Sequence, residues 1–438
     1  MYICKASIIA SLLLLFVSAL PAQPHIVPAP PQEGAILLTG ATAHLGNGEV
    51  IENALIGFAG GKLTLVGAAA STTYNPDDFE TVVDLAGKHI YPGFILPTTD
   101  LGLVEVGSLN DTRDNSEQGS YNPSVRSIIA YNTDSELIPT MRIMGILMAQ
   151  TAPSGSTIAG NSSVVQLDAW NWEDAAYLTD DAIHLYWPAR QFGARWWMGE
   201  AMPRPNPNYD KTVAEIEQWL GDALAYGKLE DREGTNLHLE ALQGLFDGSK
   251  GLFIHADDAK SIVASATLAK EMGVERIVIA GAAEAILVKD FLLEHDIPVI
   301  LSEIHELPNR DHEDTVQPYK TAAELYEAGI DFCIGYDIGM TARARNLPFL
   351  VGTAIAYGLP YEEGVKAVTS TTARLLNIDD RVGTLETGKD ATLFVSAGDA
   401  FDMRTNIIEH AFIQGRQIQL EGRQEALYKK YADKYGHP

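Results

Sequence analysis

Six side chains able to bind a cation or move a proton stand at or just beyond the ends of short apolar runs. Asp100 follows "GFILPTT", His255 and Asp257 follow "GLFI", Glu303 and His305 follow "IPVIL", and Asp337 closes "DFCIGYD". Carboxylates outnumber imidazoles in this set, which suits a hard cation such as Mg²⁺ or Ca²⁺. A carboxylate there could also act as a general base, with His255 as a ligand or an acid. The plainer alternative is a ring of solvated polar residues, with Asp337 capping a loop or a helix N-terminus. Other chemistries find little support: the chain has no Gly-x-Ser-x-Gly elbow, no His-Glu-x-x-His, no phosphate-binding glycine loop followed by Lys and no Cys-x-x-Cys. Cys333 sits inside an apolar run and reads as a small buried hydrophobe rather than a nucleophile. His184, His238, His295, His312 and His410 carry no spacing signal.

Bringing those six residues to one rim requires strands that all run the same way. The second half supplies this pattern: "GLFIH", "RIVIA", "IPVILS" and "DFCIGYD" are each followed by an amphipathic segment such as "AKSIVASATLAKEMG" or "YKTAAELYEAG". Strand–helix alternation implies parallel strands joined by right-handed crossovers. With room for about four more units upstream, the expected fold is α/β, a (β/α)8 TIM-like barrel over residues 93–380. Short alternating segments with Gly and Asn turns over 34–92 predict a small β-sandwich domain, completed by 381–421, and "QEALYKKYADKYG" within 422–438 predicts a closing helix. Two long connections interrupt the middle, "QTAPSGSTIAGNSSVVQLDAW" and "RWWMGEAMPRPNPNY". Their Trp170, Trp172, Trp196 and Trp197 could line a pocket or pack a core.

The 438 residues are 46% hydrophobic and 20% charged, enough for a well-buried core. Residues 1–22 have the layout of a secretory signal: Lys5, the apolar run "IIASLLLLFV" and the small-residue exit "SALPAQ", with cleavage expected after Ala22. Cys4 would leave with it. The mature chain is therefore expected to be exported, periplasmic or extracellular, with no membrane attachment once the signal is removed. A net charge of −27 disfavours nucleic acid and anionic membranes as partners. Asn110 and Asn161 match the glycosylation tripeptide, a short motif that matters only in a eukaryotic secretory pathway.

Several stretches together resemble the amidohydrolase superfamily, particularly its imidazolonepropionase-related branch. "ILLTGATAHLGNGEVIENALI", "VVDLAGKHIYPGF" and "DDRVGTLETGKDATLFV" resemble that family's sheet segments in order and spacing, and "ARNLPFLVGTAIAYGLPYEEGVKAVTSTTARLLNI" resembles its final barrel helices. The resemblance implies divalent metal ions at the barrel mouth, activating a water that attacks a carbon–nitrogen bond, with a last-strand carboxylate as base. It also exposes what has changed. The family's first-strand His-x-His falls on Thr98 and Asp100, the fifth strand keeps His255 but has Asp257 at its second place, and Gly281 stands where the sixth strand would carry a histidine. Tyr186 and Trp187 occupy the fourth-strand position, and Asp337 alone retains the last-strand carboxylate.

These departures predict a degenerate site. The candidate metal ligands are Asp100, His255, Asp257 and Asp337. Asp337 and His255 are the catalytic candidates, and Glu303 and His305 are candidates for binding. The expected function is a catalytically impaired or non-catalytic subunit, partnered by a metal-complete amidohydrolase or by copies of itself. The alternatives are an active carbon–nitrogen hydrolase with one metal or none, and a solute-binding protein that uses the mouth without chemistry.

Overall fold

The computed structural model describes residues 27–194, 198, 202–229, 234–302, 304–308 and 313–437. The expected signal at 1–22, and Glu303, Trp196, Trp197 and His312, lie outside the described residues.

The alternating segments at the two ends of the chain form one eight-stranded sheet. Its strands are β1 (Ile36–His44), β2 (Val50–Ala59), β3 (Lys62–Ala68), β4 (Thr81–Asp84) and β5 (His89–Pro92) from the N-terminal side. The order continues through β16 (Leu393–Ser396), β17 (Ile408–Ile413) and β18 (Arg416–Gln417), running β18-β17-β16-β5-β1-β2-β3 with β4 also paired to β1. The return segment therefore joins the N-terminal strands through the antiparallel pairing of Leu393 with Pro92 and Val395 with Ile90. One inner face is apolar, built by Leu38, Ile56, Phe58, Ile90, Leu393 and Phe412.

The second sheet also has eight strands: β6 (Phe94–Thr99), β7 (Ile146–Thr151), β8 (Ile158–Gln166), β9 (Ala176–Tyr186), β12 (Gly251–Ala256), β13 (Ile277–Gly281), β14 (Val299–Leu301) and β15 (Phe332–Ile334). A separate ribbon, β10 (Gln191–Phe192) with β11 (Arg204–Pro205), lies in the β9–β12 connection. The sheet curls almost shut, its edges meeting where a Cβ on Gly335 would lie 3.1 Å from Pro97 Cγ. No ladder joins β6 to β15 among the described residues.

The second half follows the expected alternation. β12 leads into the helix Ala259–Glu271, β13 into Lys289–Glu294, β14 into Gln317–Ala328 and β15 into Leu347–Ala356, with parallel pairing throughout. The first half corrects the expectation of eight strand–helix units, because β8 is antiparallel to both β7 and β9. The physical reason is the short link between Thr151 and Ile158. Parallel neighbours need a crossover of roughly a dozen residues or more, so this link can only turn the chain back.

Along a strand, alternate side chains face the barrel axis. Ile95, Met148, Val164, Ala182, Phe253, Val278, Ile300 and Cys333 pack there as an inner core, while Leu96, Ile254 and Ile279 face outward into a second layer beneath the helices. Burial pushes the Cys333 thiol up to about 12, so it is inert at ordinary pH. Two residues nearer the mouth on β7, β9 and β12, and two residues back on β8, alternation brings Gln150, His184, His255 and Ser162 inward. The chemistry begins at that level.

Candidate functional site

His255 is fixed by β9, its neighbour in the sheet. Register pairs His255 with Tyr186, and the two rings stack with centroids 4.0 Å apart and 7° between their planes. His255 Nε2 lies 2.9 Å from His184 Nδ1, so one proton is shared between the rings and one nitrogen of each is committed to the other. Burial holds both imidazoles neutral: His255 falls to about 3, and His184 falls well below the usual range through burial and then through His255. His184 Nε2 is buried without a hydrogen-bond partner. Tyr186 donates to the Pro153 carbonyl at 3.2 Å, closing this part of the mouth with the β7–β8 link.

Asp100 is equally committed. Its carboxylate accepts from Thr341 Oγ1 on one oxygen and from Asn115 Nδ2 at 3.4 Å on the other, while Asn115 also reaches Ser154 Oγ at 3.0 Å. Burial raises its pKa. Thr98 adopts φ +45°, unusual for a β-branched residue, and its N–H donates to Gln150 Oε1 at 3.2 Å. Gln150 in turn donates to Asp181 Oδ2 at 2.6 Å, and Ser162 Oγ donates to Asp181 Oδ1 at 2.9 Å. This network lies within the barrel, and Asp181 is pushed up to about 6, chiefly by burial.

Gly281 explains the sixth-strand position. Its φ is +93°, and a Cβ there would fall 2.1 Å from Asp257 Oδ1. The space for a side chain at the end of β13 is thus filled by the Asp257 carboxylate, in a conformation suited to glycine. Asp257 is open to solvent on its outer side. Burial of its inner side and the field of Asp337, then of Asp258, raise it to about 6. Asp337 is half-buried and also raised, by burial and then by Glu306.

The five sequence candidates among the described residues therefore do not converge. Asp257 and Asp337 share one electrostatic neighbourhood, His255 pairs with His184, and Asp100 is tied to Thr341 and Asn115. His305, expected as a binding residue, stands apart from the others. It is exposed, and its Nε2 lies 2.7 Å from Thr353 Oγ1 on the outer helix Leu347–Ala356. Among the described residues no group of three or more His, Cys, Asp or Glu is placed to hold a metal ion. The donor set does not fit the divalent centre that the resemblance implies, because His255 Nε2 and the Asp100 carboxylate are bonded to protein, the sixth-strand position carries no side chain, and the remaining carboxylates do not converge with them. Sequence reasoning missed His184, Gln150 and Asp181. Trp170 is 65% exposed and Trp172 packs on the core, so neither lines this mouth. Asn161 is buried and donates to the Pro123 and Val125 carbonyls, so in the folded chain it is shielded from modification.

Comparison with known proteins gives a consistent picture. The amidohydrolase family model matches residues 208–418. The imidazolonepropionase of Picrophilus torridus is 28% identical over 106 residues, a match that spans 23% of this chain and 27% of that protein. An amidohydrolase from Thermotoga maritima of known crystal structure superposes with a TM-score of 0.76 at 22% identity, over 88% of this chain and 99% of that one. An adenosine deaminase from Xanthomonas campestris solved with bound zinc gives a TM-score of 0.52 at 15% identity, over 93% and 98% of the two chains.

Proposed function

We propose that this chain, which belongs to the amidohydrolase superfamily and is related to its imidazolonepropionase branch, is an exported member that keeps the barrel as a scaffold and has given up metal-assisted hydrolysis. One observation carries the reading: His255 Nε2 is spent on His184 at 2.9 Å; the glycine at the sixth-strand position, roofed by Asp257, supports it. Metal affinity depends on several ligands acting together, so a mouth in which His255 Nε2 and Asp100 are tied to neighbours and the sixth strand offers no ligand binds a transition metal poorly. The remaining role is that of a non-catalytic subunit, supporting a metal-complete amidohydrolase in the same compartment.

A second reading is favoured by the Asp257–Asp337 pair. Two carboxylates with raised pKa values in one neighbourhood can divide acid and base roles. Asp337, ionised, would take a proton from water as it attacks a carbonyl carbon, and Asp257, protonated near its pKa of about 6, would give one to the departing nitrogen.

Both readings are tested by purifying the protein from the exported fraction of its native host, measuring its intact mass and assaying a panel of cyclic and linear amides. The first predicts a mass lacking residues 1–22, co-purification of another amidohydrolase and no turnover by this chain alone. Turnover that Asp337→Asn abolishes would overturn it in favour of the second. Turnover unaffected by Asp337→Asn would overturn both.

A further inference from the structure

The helix Arg423–Tyr435 is poorly accounted for by its own molecule. Of its thirteen residues only Ala432 is buried. Isolated helices shorter than roughly 12–15 residues are marginal in water, and most helices in proteins are held by a packed apolar face. Here that face is exposed: Tyr428 at 67%, Tyr431 at 49% and Tyr435 at 62% follow an i, i+3, i+7 spacing that puts them on one side. The helix is also basic. Arg423, Lys429, Lys430 and Lys434 outweigh Glu425 and Asp433, in a chain whose net charge is −27. Lys430 and Lys434 lie 5.8 and 5.0 Å from the ring centres of Tyr431 and Tyr435, so cations and aromatic rings form one surface.

The complementary surface lies elsewhere on the barrel. A groove of about 600 Å³ opens between the segment after β13 and the helix Gln317–Ala328. Its lips carry Leu287 and Leu307, exposed at 61% and 78%, and its rim carries Glu313, Glu324 and Glu327, with Lys289 the one basic side chain in its described lining. The helix cannot reach it within one molecule. Its root at Gly422 rests against Pro139, ahead of β7, and in the order of the barrel sheet three strands stand between β7 and β13 in either direction.

We infer that the C-terminal helix of one copy docks its tyrosine and lysine face into the acidic, leucine-lipped groove of a second copy. The two surfaces differ, so the contact is head-to-tail and assembles rings where the rotation closes, or open chains where it does not. Its drive combines burial of aromatic and leucine surface with opposed charge, and the charged part weakens with salt. This inference concerns the outer surface and is independent of what the mouth does.

The test is sedimentation velocity on the mature, full-length protein at rising concentration, in low and in high salt. The expected result is reversible self-association that salt weakens. Lys430→Glu with Lys434→Glu should weaken it by about tenfold or more, as should Glu324→Lys with Glu327→Lys in the groove. A mixture of the two doubly substituted proteins should recover hetero-association, since each supplies the charge the other has lost. Far-UV circular dichroism confirms that the helix variants remain folded, and Tyr431→Ala provides an uncharged check on the same face. A monomer at every concentration, or an oligomer indifferent to both pairs of substitutions, would overturn the inference. A monomer that instead binds a different amidohydrolase through Lys430 and Lys434 would overturn it as well.

Discussion

The two halves of the barrel meet the same problem, burying polar groups inside a closed sheet, in different ways. From β12 to β15 every strand returns through a helix, and the inward residues below the mouth, Phe253, Val278, Ile300 and Cys333, are apolar or nearly so. From β6 to β9 an antiparallel strand replaces one crossover, and the interior holds Gln150, Ser162, Asp181 and His184. The outer flank of that half adds a further buried cluster. Asp168 accepts from Arg142 at 2.6 Å, from Arg416 at 2.9 Å and from the Ala29 N–H at 2.9 Å, tying the barrel to the terminal sheet. The regular half is held by packing, and the irregular half by polar groups that satisfy one another. The mouth lies where they join, and His255 of the regular half is hydrogen-bonded to His184 of the irregular one.

The comparison breaks first at Arg142. Its guanidinium and Asp168 expose 4% and 1% of their side chains, so Arg142→Ala leaves a buried carboxylate with fewer donors. The expected loss is about 3–5 kcal/mol in chemical denaturation. A loss below that of an ordinary surface substitution would show that the irregular half is not held in this way.

Asp181 gives an effect of opposite sign. Its pKa is about 6 in the fold against 3.8 when exposed, so the native state binds the proton more tightly. Its contribution is fully favourable below pH 3.8, declines as pH rises toward 6, and is lost above that. Asp181→Asn should therefore stabilise the protein at neutral pH by on the order of 3 kcal/mol, and the gain should shrink toward pH 4. The amide can still accept from Gln150 and donate to Ser162. His184 and His255 act in the opposite direction: their folded pKa values are lowered, so the stability they confer is present above pH 6.5 and is lost as pH falls. A wild-type minus variant difference that does not change with pH would contradict the Asp181 argument.

Gly281→Ala is a smaller test, on the regular side. Positive φ and the approach to Asp257 together predict a loss of about 1–2 kcal/mol. Adding Asp257→Ala should recover the part due to crowding and leave the part due to backbone conformation. Full recovery would mean that the backbone at Gly281 is unstrained for alanine.

Much of the regular half could be read from the sequence because its signals are local. "GLFIH", "RIVIA", "IPVILS" and "DFCIGYD" became β12 to β15, and "AKSIVASATLAKEMG" became a helix capped by Asp258, whose side chain accepts from the Ser261 N–H. The irregular half hid its direction. "IAGNSSVVQ" is buried along its whole length, so alternation was absent, and the sense of a strand is set by the length of its link rather than by its residues. At the mouth, Gly281 and Asp257 were visible as departures from the family's pattern, but their contact was not, since it depends on φ at one residue. His184 was invisible for a related reason: only the pairing of β9 with β12 brings it to His255.

The central claim is that the mouth does not assemble a transition-metal centre. Elemental analysis of the purified full-length protein after zinc loading and exchange into metal-free buffer tests it most directly. The account predicts far less than one equivalent of zinc per chain, unchanged by His255→Ala. A tightly held stoichiometric zinc that is lost with His255→Ala would contradict it.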